Sequence, residues 1–256
     1  MQKLIMALSV IIVTLHREVE RADLIGFPMD KSLNIDYICT NSDIGGRWMS
    51  RTIAENAHIE VARSAARLFL QKGVADTTGD EIAEAAGISK RTLWRYFRTK
   101  ESCVEPLFAL ASQRLAARLR SWPSDTSVEQ FLEATYDMSK MDEQEIKDTG
   151  LVIHLIARLD EEPALLGPWH MSTRNTEETM AEVIASRLDL SPQDYDVMLC
   201  AATVAAAMRI VDETISRGAV KYGQVPTVGE TNDRLAQAIR RASTLPFCDP
   251  VTPRPR

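Results

Sequence analysis

The chain has 256 residues, 45% of them hydrophobic and 26% charged, with a formal net charge of −6 at pH 7. That is the balance of a soluble globular protein long enough for two units with their own cores. The four cysteines, Cys39, Cys103, Cys200 and Cys248, have neither metal-ligand nor CxxC spacing, which argues against a cysteine metal site and reads as reduced thiols in a cytoplasm.

The first 48 residues do not match the rest. Leu4 to Leu15 is an apolar run, too short to span a bilayer, and His16-Arg17-Glu18 replaces a small-residue cleavage site, so neither a membrane partner nor secretion is expected. Asp23 to Arg47 lacks helical periodicity, whereas Met49-Ser50-Arg51-Thr52 reads as the start of a domain. The expectation is that Met49 is the natural start and residues 1–48 are an upstream extension or a poorly ordered arm. Lys31 and Arg47 are its only positive charges after Arg21, which disfavours a DNA-contacting arm. A first helix then runs from Thr52 to Gln71, with Thr52 and Glu55 as a capping box and Ile59, Ala62, Ala66 and Phe69 as its inner stripe. Arg51, Arg63, Arg67 and Lys72 lie outside that stripe.

Thr78 to Lys100 reads TGDEIAEAAGISKRTLWRYFRTK. Thr78 and Glu81 make a second capping box, Asp80 and Glu81 sit where the helix dipole favours acids, and Ile82, Ala83 and Ala86 form an apolar face. Gly87 supplies the left-handed turn, Ile88 plugs it, and Ser89 caps a second helix from Lys90 to Phe97 that buries Leu93 and Phe97. Five basic residues and no acid lie between Ser89 and Lys100. Phosphate neutralisation supplies most non-specific DNA affinity, so a local excess of this kind counts despite the acidic total. Two capped helices around a glycine turn form a helix-turn-helix.

These residues resemble the TetR family of bacterial transcriptional regulators. The likeness runs through Phe69 to Gly73, Thr78, Ile82-Ala83, Ala86-Gly87-Ile88-Ser89, Thr92-Leu93-Trp94-Arg95-Tyr96-Phe97 and Lys100-Glu101. Arg95 and Trp94 depart from the side chains usual there, which bears on the preferred operator. The resemblance implies a homodimer that dimerises through its last two helices as a four-helix bundle, and double-stranded DNA as partner. Candidate DNA contacts are Thr78, Ser89, Lys90, Arg91, Thr92, Trp94, Arg95, Tyr96 and Lys100, with Tyr96 and Lys100 on phosphates.

From Thr99 a fourth helix leads onward, and Pro106 either kinks it or is tolerated near its start. It ends at Trp122-Pro123-Ser124. Thr126 and Glu129 are read as the cap of the next helix, and Asp142 to Leu159 as a buried one. A break at Leu165-Leu166-Gly167-Pro168 precedes a helix from about Trp169 to Leu188. A long helix is expected from Ser191-Pro192 to about Arg217, with Ala201, Ala202, Ala205, Ala206 and Ala207 small enough for close approach, either in the domain centre or against a second copy. The last helix runs from Thr227 to about Leu245, capped by Thr227 and Glu230, and Pro246 onward is read as a frayed tail.

The expected fold class is all-α: a three-helix DNA-binding domain containing the helix-turn-helix (49–98), joined to a larger helical bundle for ligand binding and dimerisation (99–245), with a Pro-rich tail (246–256). Catalysis is not expected. The one Glu-x-x-His match, Glu55 to His58, has no second copy as helical di-metal sites require, and no glycine-rich phosphate loop is present. No metal or cofactor is implied. The apolar helices of the larger unit point to a small apolar or amphipathic effector, with His154, Arg158, Trp169 and Met180 as candidate contacts. The reading is therefore a ligand-responsive repressor, with a non-sensing architectural DNA binder of the same fold as the alternative.

Overall fold

The computed structural model describes residues 46–135 and 141–251, with side chains from Ala57 onward. The expectations on residues 1–45, on the Thr52 and Glu55 capping box and on the end of the chain lie outside the described residues. The described residues form nine α-helices and no strand: α1 (Gly46–Lys72), α2 (Gly79–Ala85), α3 (Lys90–Tyr96), α4 (Glu105–Arg120), α5 (Val128–Thr135), α6 (Glu143–Ala157), α7 (Leu166–Leu188), α8 (Tyr195–Tyr222) and α9 (Val228–Ala242). The all-α expectation holds. Short 3-10 turns at Glu101–Val104 and Pro163–Leu165 lead into α4 and α7.

The chain divides into two compact units, the first ending at Leu107 and the second beginning at Phe108. In the first, α1 buries Ala62, Ala66 and Phe69 as its stripe requires, and Ile82, Ala83, Leu93 and Val104 complete the core. Burial of small residues lets helices approach closely, so three short elements can share one apolar centre.

In the second unit α8 packs against α6, α7 and α9, and α5 against α9. Met180, Ile184, Val197, Val204 and Ile239 share a core with Trp122 and Phe131, whose rings stack at 5.1 Å. Ion pairs tie α4 to α6: Arg118 lies 2.7 Å from Glu145, and Arg114 lies 3.6 Å from the buried Asp148.

Several boundaries differ from the sequence expectations, each for a local reason. The fourth helix starts at Glu105 rather than near Thr99, because Thr99 and Ser102 exchange bonds around a 3-10 turn. Pro106 is then its second residue, where no helical N–H is missed, and it is a tolerated proline. The cap of α5 is Ser127 with Gln130, one residue later than Thr126 with Glu129, since the Thr126 hydroxyl is spent on the Pro123 carbonyl. Helix α7 begins before Trp169, accommodating Pro168 in its first turn. Helix α8 is capped by Asp194, not Ser191, whose hydroxyl accepts from Gln193 within a turn. It runs on to Gly223, which supplies the left-handed C-cap at φ 63°.

The largest correction concerns the end of the described chain. Residues 246–251 are not frayed. Phe247 is fully buried, 5.9 Å from Trp122, and the Cys248 carbonyl accepts from Val128 N–H. Arg187 organises this segment: its guanidinium donates to the carbonyls of Phe247 (2.8 Å), Pro123 (2.6 Å), Thr126 (3.0 Å) and Asp249 (3.0 Å). The same group lies 4.1 Å over the Trp122 ring. One planar cation thereby satisfies four carbonyls in a place where unpaired ones would be costly.

Candidate nucleic-acid interface

Both short helices of the first unit owe their ends to side-chain caps. The Thr78 hydroxyl accepts from Glu81 N–H at 3.3 Å, and the Glu81 carboxylate accepts from Thr78 N–H at 2.8 Å. Glu81 also takes a hydrogen bond from Lys72, and these bonds, Lys72 first and then Thr78, lower its pKa from 4.5 to about 2. Gly87 sits at φ 67°, and Ile88 N–H reaches back to the Ala83 carbonyl at 3.0 Å, closing the turn. The Ser89 hydroxyl accepts from Thr92 N–H at 3.1 Å and opens α3.

Helix α3 is anchored by Leu93 and by Phe97 just past its end, both buried. Lys90, Arg91, Trp94 and Arg95 are exposed, as expected of residues that face a groove. Thr92 is not among them. It is 7% exposed, its hydroxyl is 2.9 Å from that of Ser89, and its expected place at the groove is corrected to an internal one. Ser89 and Thr78 are exposed, but their hydroxyls are engaged in caps.

Tyr96 is half-buried, its ring 4.4 Å from His58 of α1 and its hydroxyl 3.1 Å from Arg95. Lys100 is also occupied. Its ammonium donates to the carbonyls of Ala75 (3.0 Å) and Thr77 (2.9 Å), bracing the α1–α2 loop. A phosphate contact by Lys100 requires these bonds to be exchanged.

Three residues that carry no positive charge shape this surface without having been singled out as contacts. Asp80 pairs with Lys90 at 2.8 Å, offsetting a cation placed at the N-terminus of α3 where the helix dipole disfavours it. Gly79, at the start of α2, lies directly under the Trp94 indole. His58 supports Tyr96 from α1. Nothing in sequence spacing marks the Gly79 contact, since it joins residues 15 positions apart by packing alone.

Comparison with known proteins agrees with this geometry. The sequence model of the bacterial regulatory proteins of the tetR family matches residues 61–107, the span from the buried part of α1 through the start of α4. The transcriptional regulator TcmR of Streptomyces glaucescens is 27% identical over 187 residues, covering 70% of this chain and 82% of that protein.

The helix-turn-helix region of this chain is similar to that of the TetR family.

The regulator EthR of Mycolicibacterium smegmatis is 31% identical over 84 residues, covering 31% of this chain and 39% of that one. Among solved structures, GusR of Salmonella enterica aligns with 16% identity and a TM-score of 0.47, covering 72% of this chain and 96% of that one. This likeness supports a DNA-binding transcriptional regulator, and the relatives it matches are regulators rather than enzymes. No described helix is long and apolar enough to cross a membrane.

Of the four candidate effector contacts, Met180 and Trp169 have different surroundings. Met180 is fully buried in the core around Trp122 and Ile184. Trp169, eleven residues earlier on α7 and so about 16 Å away along the axis, packs against Phe108 at 5.5 Å and donates to Glu213 at 2.8 Å. His154 is buried on α6 with Nδ1 2.9 Å from the Gly150 carbonyl, and Arg158 caps that helix. Met180 is a core residue, in keeping with a flexible thioether that fills irregular space in an apolar cluster.

Proposed function

We propose that the protein is a cytoplasmic homodimeric repressor that binds a pseudo-palindromic operator and is released by a small apolar or amphipathic molecule. The observation that carries the DNA-contact part is the exposed row of Lys90, Arg91, Trp94 and Arg95 on a helix whose other side is fixed by Leu93 and Phe97. Guanidinium groups at Arg91 and Arg95 suit bidentate contacts to guanine edges, while Lys90 neutralises phosphate. Thr78 and Ser89 set the ends of α2 and α3 beside the backbone, and Tyr96 with Lys100 completes the phosphate-contacting set.

The homodimer reading draws on α8. Tyr195, Leu199, Ala206 and Ile210 recur at helical spacing, all exposed, with Tyr195 at 75% and Ile210 at 56%. A row facing water in which three large apolar side chains flank an alanine is the composition of a subunit contact. The buried small residues Ala201 and Ala205 belong to the other side of the helix, in the protein's own core. Two copies joined this way present two α3 helices to one duplex, as half-sites in successive major grooves demand.

Effector release supposes that a ligand in the second unit favours one of two dimer conformations. His154, Arg158 and Trp169 remain its proposed neighbours, and the Trp169–Glu213 bond, shared with Arg209 at 2.8 Å, is the polar feature such a ligand would meet. The decisive experiment is selection of bound fragments from the source genome. Recovery of one inverted-repeat motif, released by amphipathic compounds in a screen, supports the whole reading. Uniform recovery without a motif defeats the repressor.

A further inference from the structure

We infer that Gly79 is a specificity-determining residue for DNA recognition: it leaves the space in which the Trp94 indole lies against the first turn of α2, and so fixes how that indole is presented to DNA. The inference rests on the DNA-binding role of α3.

The geometry is specific. A Cβ added at Gly79 would lie 2.2 Å from Trp94 Cζ2 and 2.8 Å from Cη2, inside any permitted contact distance. Trp94 nevertheless remains 41% exposed, so it is seated on α2 rather than absorbed into the core. Burial in α3 is carried by Leu93 and Thr92 and does not depend on the indole.

The next residue makes a parallel contact. Lys90 and Trp94 are one helical turn apart and share a face of α3. Gly79 receives Trp94 while Asp80 receives Lys90 at 2.8 Å. Two consecutive residues of α2 therefore template two successive residues of one α3 face. Rotating α3 about its axis, or swinging the indole, breaks this pairing.

Any side chain at position 79 forces the indole off its seat, and the exposed side offers it room to move. The cost then falls on recognition rather than on folding. An indole held in one rotamer has already lost the freedom that base contact would otherwise have to remove, whereas a displaced one points elsewhere in the groove.

The test is a double-mutant cycle with Gly79→Ala and Trp94→Tyr, read on the genome-selected DNA fragment and on a random-sequence duplex of equal length. Gly79→Ala should weaken the selected fragment about tenfold, the scale of one lost base contact, leave the random duplex unchanged and keep the wild-type melting temperature. In the Trp94→Tyr background, whose shorter ring does not reach position 79, the same substitution should change affinity less than about twofold, which is the coupling that defines a pair. Equal weakening on both duplexes, no weakening on either, or the same penalty in both backgrounds overturns the inference. The nuclear Overhauser effect between Trp94 ring protons and the Gly79 α-protons in the DNA-free wild type gives a reading independent of the variants' folding, and its absence also overturns it. A wild type that distinguishes no fragment from random DNA instead defeats the operator reading, with the seat itself still visible in that spectrum.

Discussion

Helix α3 is seven residues long and buries two of them, whereas α8 is 28 residues long and buries eight. A seven-residue helix is well below the ~12–15 residues at which isolated helices become even marginally stable. It exists because Ser89 caps its start, Gly87 turns the chain into it, and Leu93 with Phe97 fastens one side. What that arrangement leaves outward is chemistry. Helix α8 is held instead by three neighbouring helices along its length, and what it leaves outward is an apolar row. Under the proposed function, one helix is fixed so that it can read and the other is left so that it can pair.

The largest effect that separates local from tertiary support belongs to Arg187. Arg187→Met should lower stability by about 3–5 kcal/mol, because it strands four carbonyls and a packed segment at once. Urea unfolding measures this, and a midpoint within error of wild type would mean that the 246–251 segment contributes nothing. The next two substitutions divide the faces of α8. Ile210→Glu should give a folded monomer with dimer affinity reduced by about 2 kcal/mol or more, the scale of a central contact. Ala205→Glu, one and a half turns away and buried, should unfold the second unit instead. Sedimentation and circular dichroism together distinguish the two, and a folded dimer in both variants would place the interface elsewhere.

Effects on α3 are smaller. Arg91→Ala and Arg95→Ala should each relax base preference by about 1–3 kcal/mol without altering stability, measurable by competition between the selected fragment and single-base variants. Asp80→Asn should do the opposite of harm: freeing Lys90 from an exposed ion pair worth at most about 1 kcal/mol should raise affinity for random DNA a few-fold and steepen its salt dependence. Unchanged random-DNA binding would show that the pair is already exchanged for phosphate at no cost.

The smallest expected effect is a pH dependence in the second unit. Hydrogen bonding from Arg240 lowers Glu129 from 4.5 to about 2. A depressed carboxylate stabilises the folded state above its unfolded pKa, and that contribution is lost as pH falls from about 4.5 toward 2. Glu129→Gln should flatten the acid limb of the stability profile in that window and leave neutral pH nearly unchanged. An identical acid limb would assign the loss to other carboxylates.

How much was legible in the sequence follows the same division. The caps at Thr78, Ser89 and Thr227, the Gly87 turn and the all-α class were readable because each is a rule within a few residues of chain. The exposed Lys90, Arg91, Trp94 and Arg95 followed from the placement of Leu93 and Phe97. Thr92 was misplaced because a threonine that directly follows Lys90-Arg91 and lies three residues before Arg95 reads as polar and outward, whereas it bonds to the Ser89 hydroxyl. Lys100 has partners 23 and 25 residues away in sequence, so no local pattern marks it as occupied. The same holds for Arg187, whose four carbonyls come from two stretches about 60 residues distant on either side.

The docked segment around Phe247 changes how the protein should be handled at the bench. A fluorophore, affinity label or fusion partner joined beyond Val251 leaves the Arg187 contacts in place. One that replaces the chain from Pro246 removes a fully buried phenylalanine and should behave as a core deletion. Truncation gives the same information: a chain ending at Val251, whose N–H is held by the Ser124 carbonyl at 2.8 Å, keeps the Arg187 contacts, whereas one ending at Leu245 should open the second unit more readily.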